Sequence, residues 1–85
     1  MDRRAGLLKK AVLKSYSVFL RNESFGQTDF YGEYFEGDTV EVPGETILGP
    51  VNCFFQYIDP DIPYTDDGTM ITFTMPGQDV FVYYE

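Results

Sequence analysis

Residues 69–85, TMITFTMPGQDVFVYYE, contain the clearest strand pattern of the 85-residue chain. Ile71, Phe73 and Met75 occupy every second position, so they point to one face of a strand over residues 69–75. Pro76 and Gly77 then favour a tight turn, because proline presets φ and glycine accepts a positive φ. A second alternating strand follows, with Val80, Val82 and Tyr84 on one face and Asp79, Phe81 and Tyr83 on the other.

Further strands are predicted upstream, over residues 15–20, 30–35, 39–42 and 51–57. In the last of these, alternation is expected to place Val51, Cys53, Phe55 and Tyr57 on one face. Residues 58–68 contain two prolines and a glycine and are predicted to form a loop. Five or six short strands separated by turn signals predict a mainly β fold. We expect a small antiparallel sheet domain, grasp-like or sandwich-like, with a short N-terminal helix.

Residues 1–14 follow a helical rather than a strand pattern. Their apolar side is formed by Leu7, Leu8, Ala11 and Val12, and their basic side by Lys9, Lys10 and Lys14. We therefore predict a basic amphipathic helical head over residues 1–14 and an acidic β domain over residues 15–85, within a single domain overall. About three turns are marginal for an isolated helix in water. The head is thus expected either to dock on the body or to bind a partner.

Charge is strongly segregated along the chain. All 6 basic residues lie in the first 21 positions, and 13 of the 14 acidic residues lie after them. No Lys, Arg or His occurs between Asn22 and Glu85. Affinity for phosphates comes from Lys and Arg, so direct nucleic-acid binding is not expected. The acidic body predicts a basic partner protein instead.

Catalytic chemistry is not indicated. The chain has no His, which removes the ordinary nucleophile–base pairs. Cys53 is the only cysteine and has no basic neighbour in sequence, so we expect a buried, unreactive thiol. Asp59, Asp61, Asp66 and Asp67 could suit calcium, but their spacing differs from that of an EF-hand and favours solvated turn residues. The sequence predicts a non-enzymatic protein without cofactor or metal.

The sequence also bears on the compartment. No apolar run approaches the roughly 20 residues that a membrane-spanning helix needs. A small secreted domain usually carries disulfides, and a single cysteine cannot form one internally. We therefore expect a cytoplasmic protein or, alternatively, a cell-surface module excised from a longer secreted chain.

Residues 71–82, ITFTMPGQDVFV, carry a family resemblance. Their pattern, apolar-T-F-x-M-P-x-x-D-V followed by alternating residues, resembles the end of the divergent internalin-B-type repeat of bacterial surface proteins. Tyr34 and residues 37–42, GDTVEV, are similar to the central strand of that repeat. The resemblance covers about residues 15–85. It implies a compact, mostly β, grasp-like module that occurs in tandem and serves as an adhesive or spacer unit without catalysis.

Two functions are therefore predicted. The charge pattern favours a small inhibitor that mimics nucleic acid and binds a DNA- or RNA-handling enzyme, as anti-restriction and anti-CRISPR proteins do. The resemblance implies the alternative, an adhesive or spacer module of a bacterial surface protein. For the first function, we expect exposed acids and aromatics on or beside the strands to contact the partner. The predicted contact residues are Glu33, Tyr34, Glu36, Asp38, Glu41, Asp79, Phe81 and Tyr83.

Overall fold

A computed structural model describes residues 13–85 and confirms a mainly β protein. Most of the predicted helical head, residues 1–12, lies outside the described residues. Leu13 and Lys14, its last two residues, are not helical. No helix long and apolar enough to cross a membrane occurs within residues 13–85.

The strands are β1 (Ser15–Asn22), β2 (Gln27–Phe35), β3 (Thr39–Pro43), β4 (Glu45–Leu48), β5 (Val51–Asp59), β6 (Thr65–Asp66), β7 (Met70–Thr74) and β8 (Val80–Tyr84).

The predicted count of five or six strands is too low, since the described part of the chain has eight. One unpredicted strand is β4, which pairs with the start of β5. The other is the two-residue β6, which lies in the predicted loop and pairs with β7. Both are short, so local alternation alone gave little sign of them.

The strands form two sheets that enclose one core. One sheet has five strands in the order β2-β1-β8-β5-β4, and the other has three in the order β3-β7-β6. All pairs are antiparallel except β1 and β8, which are parallel in the register Val18↔Val80 to Arg21↔Tyr83. The predicted antiparallel pairing is therefore wrong for β1 with β8 and right for the other pairs. A parallel pair needs a long connection, and here that connection contains the six strands from β2 to β7.

The core lies between the sheets and confirms the alternation predicted for residues 69–85. Ile71, Phe73 and Met75 are buried on the three-stranded side, and Val80, Val82 and Tyr84 are buried on the five-stranded side. Strands β1 and β3 contribute Val18, Leu20, Val40 and Val42 to the same cluster.

The five-stranded sheet curls, so that its two edge strands β2 and β4 approach each other. Asn22, at the end of β1, is buried and donates a side-chain hydrogen bond to the Cys53 sulfur at 3.0 Å. The same Asn22 accepts a hydrogen bond from the Phe25 amide through its side-chain oxygen. This buried amide therefore fixes the β1–β2 turn against β5, and Cys53 is buried as the sequence predicted.

Two tyrosine hydroxyls link the sheets. The Tyr84 hydroxyl on β8 donates to the Pro43 carbonyl at 2.5 Å, and the Tyr31 hydroxyl on β2 donates to the Glu41 carbonyl at 2.7 Å. Both acceptors belong to β3, so these bonds hold the edge of the small sheet against the large one. Burial raises the pKa of Tyr84 well above its ordinary value. The outer face of the five-stranded sheet is left uncovered by any other described element.

Candidate protein-binding face

Three phenylalanines form a row across the outer face of the five-stranded sheet. Phe19 on β1 is paired with Phe30 on β2 and with Phe81 on β8. The Phe19 and Phe81 rings stack with centroids 4.9 Å apart and planes 18° apart. The Phe19 and Phe30 rings meet edge to face at 6.0 Å. Phe19 and Phe81 point away from the core, because they alternate with the buried Val18, Leu20, Val80 and Val82 of their own strands. Phe30 shares their face, because it lies directly opposite Phe19 in the register.

A second row lies two residues further along β1 and β8, on the same face of the sheet. It contains Thr28, Arg21, Tyr83 and Tyr57, which are neighbours on β2, β1, β8 and β5. The Tyr57 and Tyr83 rings stack at 4.6 Å with planes only 9° apart. The Arg21 guanidinium donates to the Thr28 hydroxyl at 2.9 Å, so it is hydrogen-bonded across to β2. Its Nε atom is buried and has no hydrogen-bond partner.

The ring separations in both stacks match the spacing of neighbouring strands. The rings therefore stack on each other across the sheet, and their edges rather than their faces point to solvent. Phe30 is 60% exposed and Tyr57 is 49% exposed, so apolar surface remains accessible at both sides. We name Phe19, Phe30, Tyr57, Phe81 and Tyr83 together the aromatic face. Upright rings give a poor flat platform for a sugar, but they provide rigid contact area for a protein.

Carboxylates surround the aromatic face. Asp59 is paired with Phe81, and Glu33 is paired with Ser17 beside the phenylalanine row. Asp79 lies at the same end, where its carboxylate accepts a hydrogen bond from the Ser17 amide at 2.8 Å. At the opposite end, Glu23 and Glu85 follow the tyrosine row on β1 and β8. We name Glu23, Glu33, Asp59, Asp79 and Glu85 the acidic rim.

The predicted contact residues are partly brought together. Glu33, Asp79, Phe81 and Tyr83 lie on the aromatic face or its rim. Glu36 and Asp38 occupy the β2–β3 turn nearby. The Asp38 carboxylate accepts a hydrogen bond from the Phe35 amide at 2.8 Å, and the Glu36 carboxylate lies against Gly77 in the β7–β8 connection.

Tyr34 and Glu41 lie away from this surface. Tyr34 is half-buried and packs against the core from the inner side of β2. Glu41 is exposed on β3, which belongs to the other sheet. A contact surface centred on the aromatic face would therefore not include these two residues.

Sequence reasoning missed Phe19, Phe30 and Tyr57 as members of the face. Phe19 could have been found, because it lies between the apolar residues Val18 and Leu20 in a predicted strand and must therefore point to the opposite face from them. Tyr57 could not, because it was assigned to the face of Cys53 and Phe55, and that assignment is wrong. The register shifts between Phe55 and Tyr57, and this bulge turns Tyr57 outward onto Tyr83.

The electrostatics of the face are dominated by acids. Against 13 acidic side chains, Lys14 and Arg21 are the basic residues of the described chain. Desolvation raises the pKa of Tyr57, and the negative charge of Glu23 raises it further, with smaller contributions from Tyr83 and Asp59. Arg21 acts in the opposite direction and is the weakest of these influences. The field at the tyrosine row thus favours a cation.

The aspartates of the β5–β7 region stabilise their own turns. Asp66 accepts a hydrogen bond from the Gly68 amide, and Asp67 accepts from the Thr69 and Met70 amides, each at 2.8 Å. These amide bonds lower the pKa of Asp67, with Met70 as the largest cause. Within residues 13–85, no group of three or more acidic, Cys or His side chains is arranged to hold a metal ion.

The chain matches no protein-family model, no curated protein and no solved structure. We therefore infer its function from the chemistry of the aromatic face and its acidic rim.

Proposed function

We propose that this protein is a non-enzymatic binding protein whose aromatic face contacts a basic, nucleic-acid-handling protein in place of nucleic acid. The observation that carries the proposal is the arrangement of stacked rings at the centre of one sheet face with carboxylates around them. Protein–protein hot spots have this anatomy, in which aromatic anchors are surrounded by a polar rim that excludes water.

The rings are already ordered before any partner binds. Phe19 stacks on Phe81 and Tyr57 stacks on Tyr83, so each ring has lost much of its rotamer freedom in the free protein. Association therefore costs less side-chain entropy than it would with mobile side chains. The aromatic face supplies apolar contact area that is preorganised on a rigid sheet.

The charge of the face supports a basic partner. The acidic rim lies at both ends of the aromatic face and beside Phe81 on β5, and Arg21, the cation on this face, is hydrogen-bonded to Thr28. Asp79 and Glu85 flank the two ends of β8 and are six residues apart, which separates them by roughly 20 Å along an extended strand. A partner would need positive charge distributed over a similar distance. Proteins that hold a phosphate backbone present such surfaces.

The test uses two aspartates that lie two residues apart. Asp59 is paired with Phe81 and belongs to the acidic rim, whereas Asp61 is exposed in the following loop and has no partner in the sheet register. The first step captures basic proteins at low salt and purifies the principal one. The second step measures, by fluorescence anisotropy, whether the wild-type protein releases a labelled nucleic acid from that partner.

We expect release that weakens at high salt, that is reduced several-fold by Asp59→Asn and Glu33→Gln, and that Asp61→Asn leaves unchanged. Equal losses for Asp59→Asn and Asp61→Asn would show that only net charge matters and would overturn the role of this face. A captured partner that keeps its nucleic acid would overturn mimicry. Absence of any salt-dependent partner would favour the adhesive or spacer function that the repeat resemblance implies.

A further inference from the structure

A cleft opens at the tyrosine end of the aromatic face. It has a volume of about 180 Å³ and is lined by Glu23, Ser24, Gln56, Tyr57, Tyr83, Tyr84 and Glu85. A water molecule occupies about 30 Å³ of liquid, so the cleft can admit a side-chain headgroup with part of its stem. Its position follows from the fold, because β1 leaves the sheet at Asn22 while β8 and β5 continue beside it.

The walls of the cleft differ in chemistry. The stacked Tyr57 and Tyr83 rings form an apolar wall, since their centroids are only 4.6 Å apart. The carboxylates of Glu23 and Glu85 come from separate segments, and neither is hydrogen-bonded or ion-paired to another side chain among residues 13–85. Ser24 adds a hydroxyl and Gln56 adds an amide, so four different side chains offer acceptors around one apolar wall.

The chain's own guanidinium does not fill the cleft. Arg21 is next to Tyr83 in the sheet register, but its Nη1 atom is bonded to Thr28 on the other side. Arg21 is also absent from the lining residues. The negative charge of Glu23 acts on the Tyr57 hydroxyl more strongly than the positive charge of Arg21 does. Two carboxylates therefore share a cleft that holds no compensating cation from the described residues.

We propose that this cleft binds an arginine side chain of the partner, an inference that rests on the proposed function and specifies its central contact. A guanidinium offers five donors in one plane, which suits acceptors distributed over several side chains, and it is weakly hydrated, which suits the tyrosine wall. A lysine ammonium is a compact, strongly hydrated charge with three donors, and it would leave part of this acceptor set unused.

The experiment titrates the protein with N-acetyl-arginine amide and, separately, with N-acetyl-lysine amide, followed by NMR of the tyrosine ring and backbone signals. We expect the arginine probe to shift the signals of Tyr57, Tyr83, Ser24 and Glu85, with at least several-fold tighter binding than the lysine probe. Glu23→Gln and Glu85→Gln should each weaken the arginine probe several-fold. The matched change Asp61→Asn should leave its affinity within twofold.

The outcomes separate this inference from the proposed function. Equal shifts by the two probes would overturn arginine recognition, and so would arginine shifts that survive both glutamine substitutions. A further titration with a basic peptide that contains lysine but no arginine completes the design. If that peptide perturbs Phe19 and Phe81 while neither probe perturbs the cleft, the face binds basic chains but the cleft does not select arginine. If no basic probe perturbs the sheet face, both proposals fail.

Discussion

Replacing Tyr84 by Phe tests the hydroxyl bond that holds β3 to the five-stranded sheet. Tyr84 is 3% exposed, and its ring lies in the core. Phenylalanine keeps the ring and removes only the hydroxyl that donates to Pro43. The substitution therefore leaves one carbonyl without its partner and creates no large cavity.

The magnitude follows from the burial of the two groups. Leaving a buried donor or acceptor unsatisfied costs about 1–3 kcal/mol. Pro43 is only half-buried, so water can partly replace the lost bond and the lower half of that range applies. We expect the free energy of unfolding to fall by about 1–2 kcal/mol, which for a domain of this size lowers Tm by about 5–15 °C.

Tyr31→Phe is the matched control. Its hydroxyl donates to the carbonyl of Glu41, which lies two residues before Pro43 on β3. Unlike Tyr84, Tyr31 is exposed. We expect a loss of about 0.5–1 kcal/mol, because solvent can satisfy the Glu41 carbonyl. Urea unfolding of the two single variants and the double variant measures the free energy of unfolding that each hydroxyl contributes. If Tyr84→Phe costs no more than Tyr31→Phe, the reasoning about this buried bond is refuted.

Three further perturbations test other contacts of the described chain. The folded-state pKa of Tyr84 lies above its ordinary value of 10.0, so the neutral hydroxyl is favoured in the folded state. The stabilisation that this difference provides should be fully present below pH 10 and should decline as the pH rises beyond it. The decline should be shallower in Tyr84→Phe when urea midpoints are compared from pH 8 to 11, and an identical decline would contradict the assignment. The Cys53 thiol should react with an aromatic disulfide reagent only at the rate of unfolding, because it is buried and bonded to Asn22, so rapid labelling in native buffer would contradict the packing. Gly68→Ala should lower the free energy of unfolding by about 1 kcal/mol. Gly68 has φ +92° and no atom lies near an added Cβ, so the loss would come from the backbone conformation alone. An unchanged urea midpoint would contradict this expectation.

Local alternation was a sound guide where a strand is regular. Ile71, Phe73 and Met75 are buried as predicted, and so are Val80 and Val82. The reason is that successive side chains of a strand point to opposite faces, so an apolar period of two identifies the buried face without any tertiary information. The same rule placed Phe81 and Tyr83 on the outside, where the structure has them.

Alternation failed where the backbone departs from regularity. The bulge between Phe55 and Tyr57 inserts one residue into the pattern and reverses the faces of the residues after it. Nothing in residues 51–57 marks this position, since the bulge is defined by pairing with β8. The Tyr57–Tyr83 stack and the cleft beside it were therefore beyond sequence reasoning.

By itself, the sequence determined that the protein is mainly β, which residues of its regular strands are buried, and that its body is acidic, because side-chain period and charge are properties of the chain alone. The tertiary structure decided the parallel pairing of β1 with β8, the division into two sheets and the assembly of the aromatic face. These features depend on which distant segments meet, and that choice is made by the packing of the whole core. The face exists because β1, β2, β5 and β8, which are separated in sequence, place their outward rings side by side at the spacing of neighbouring strands.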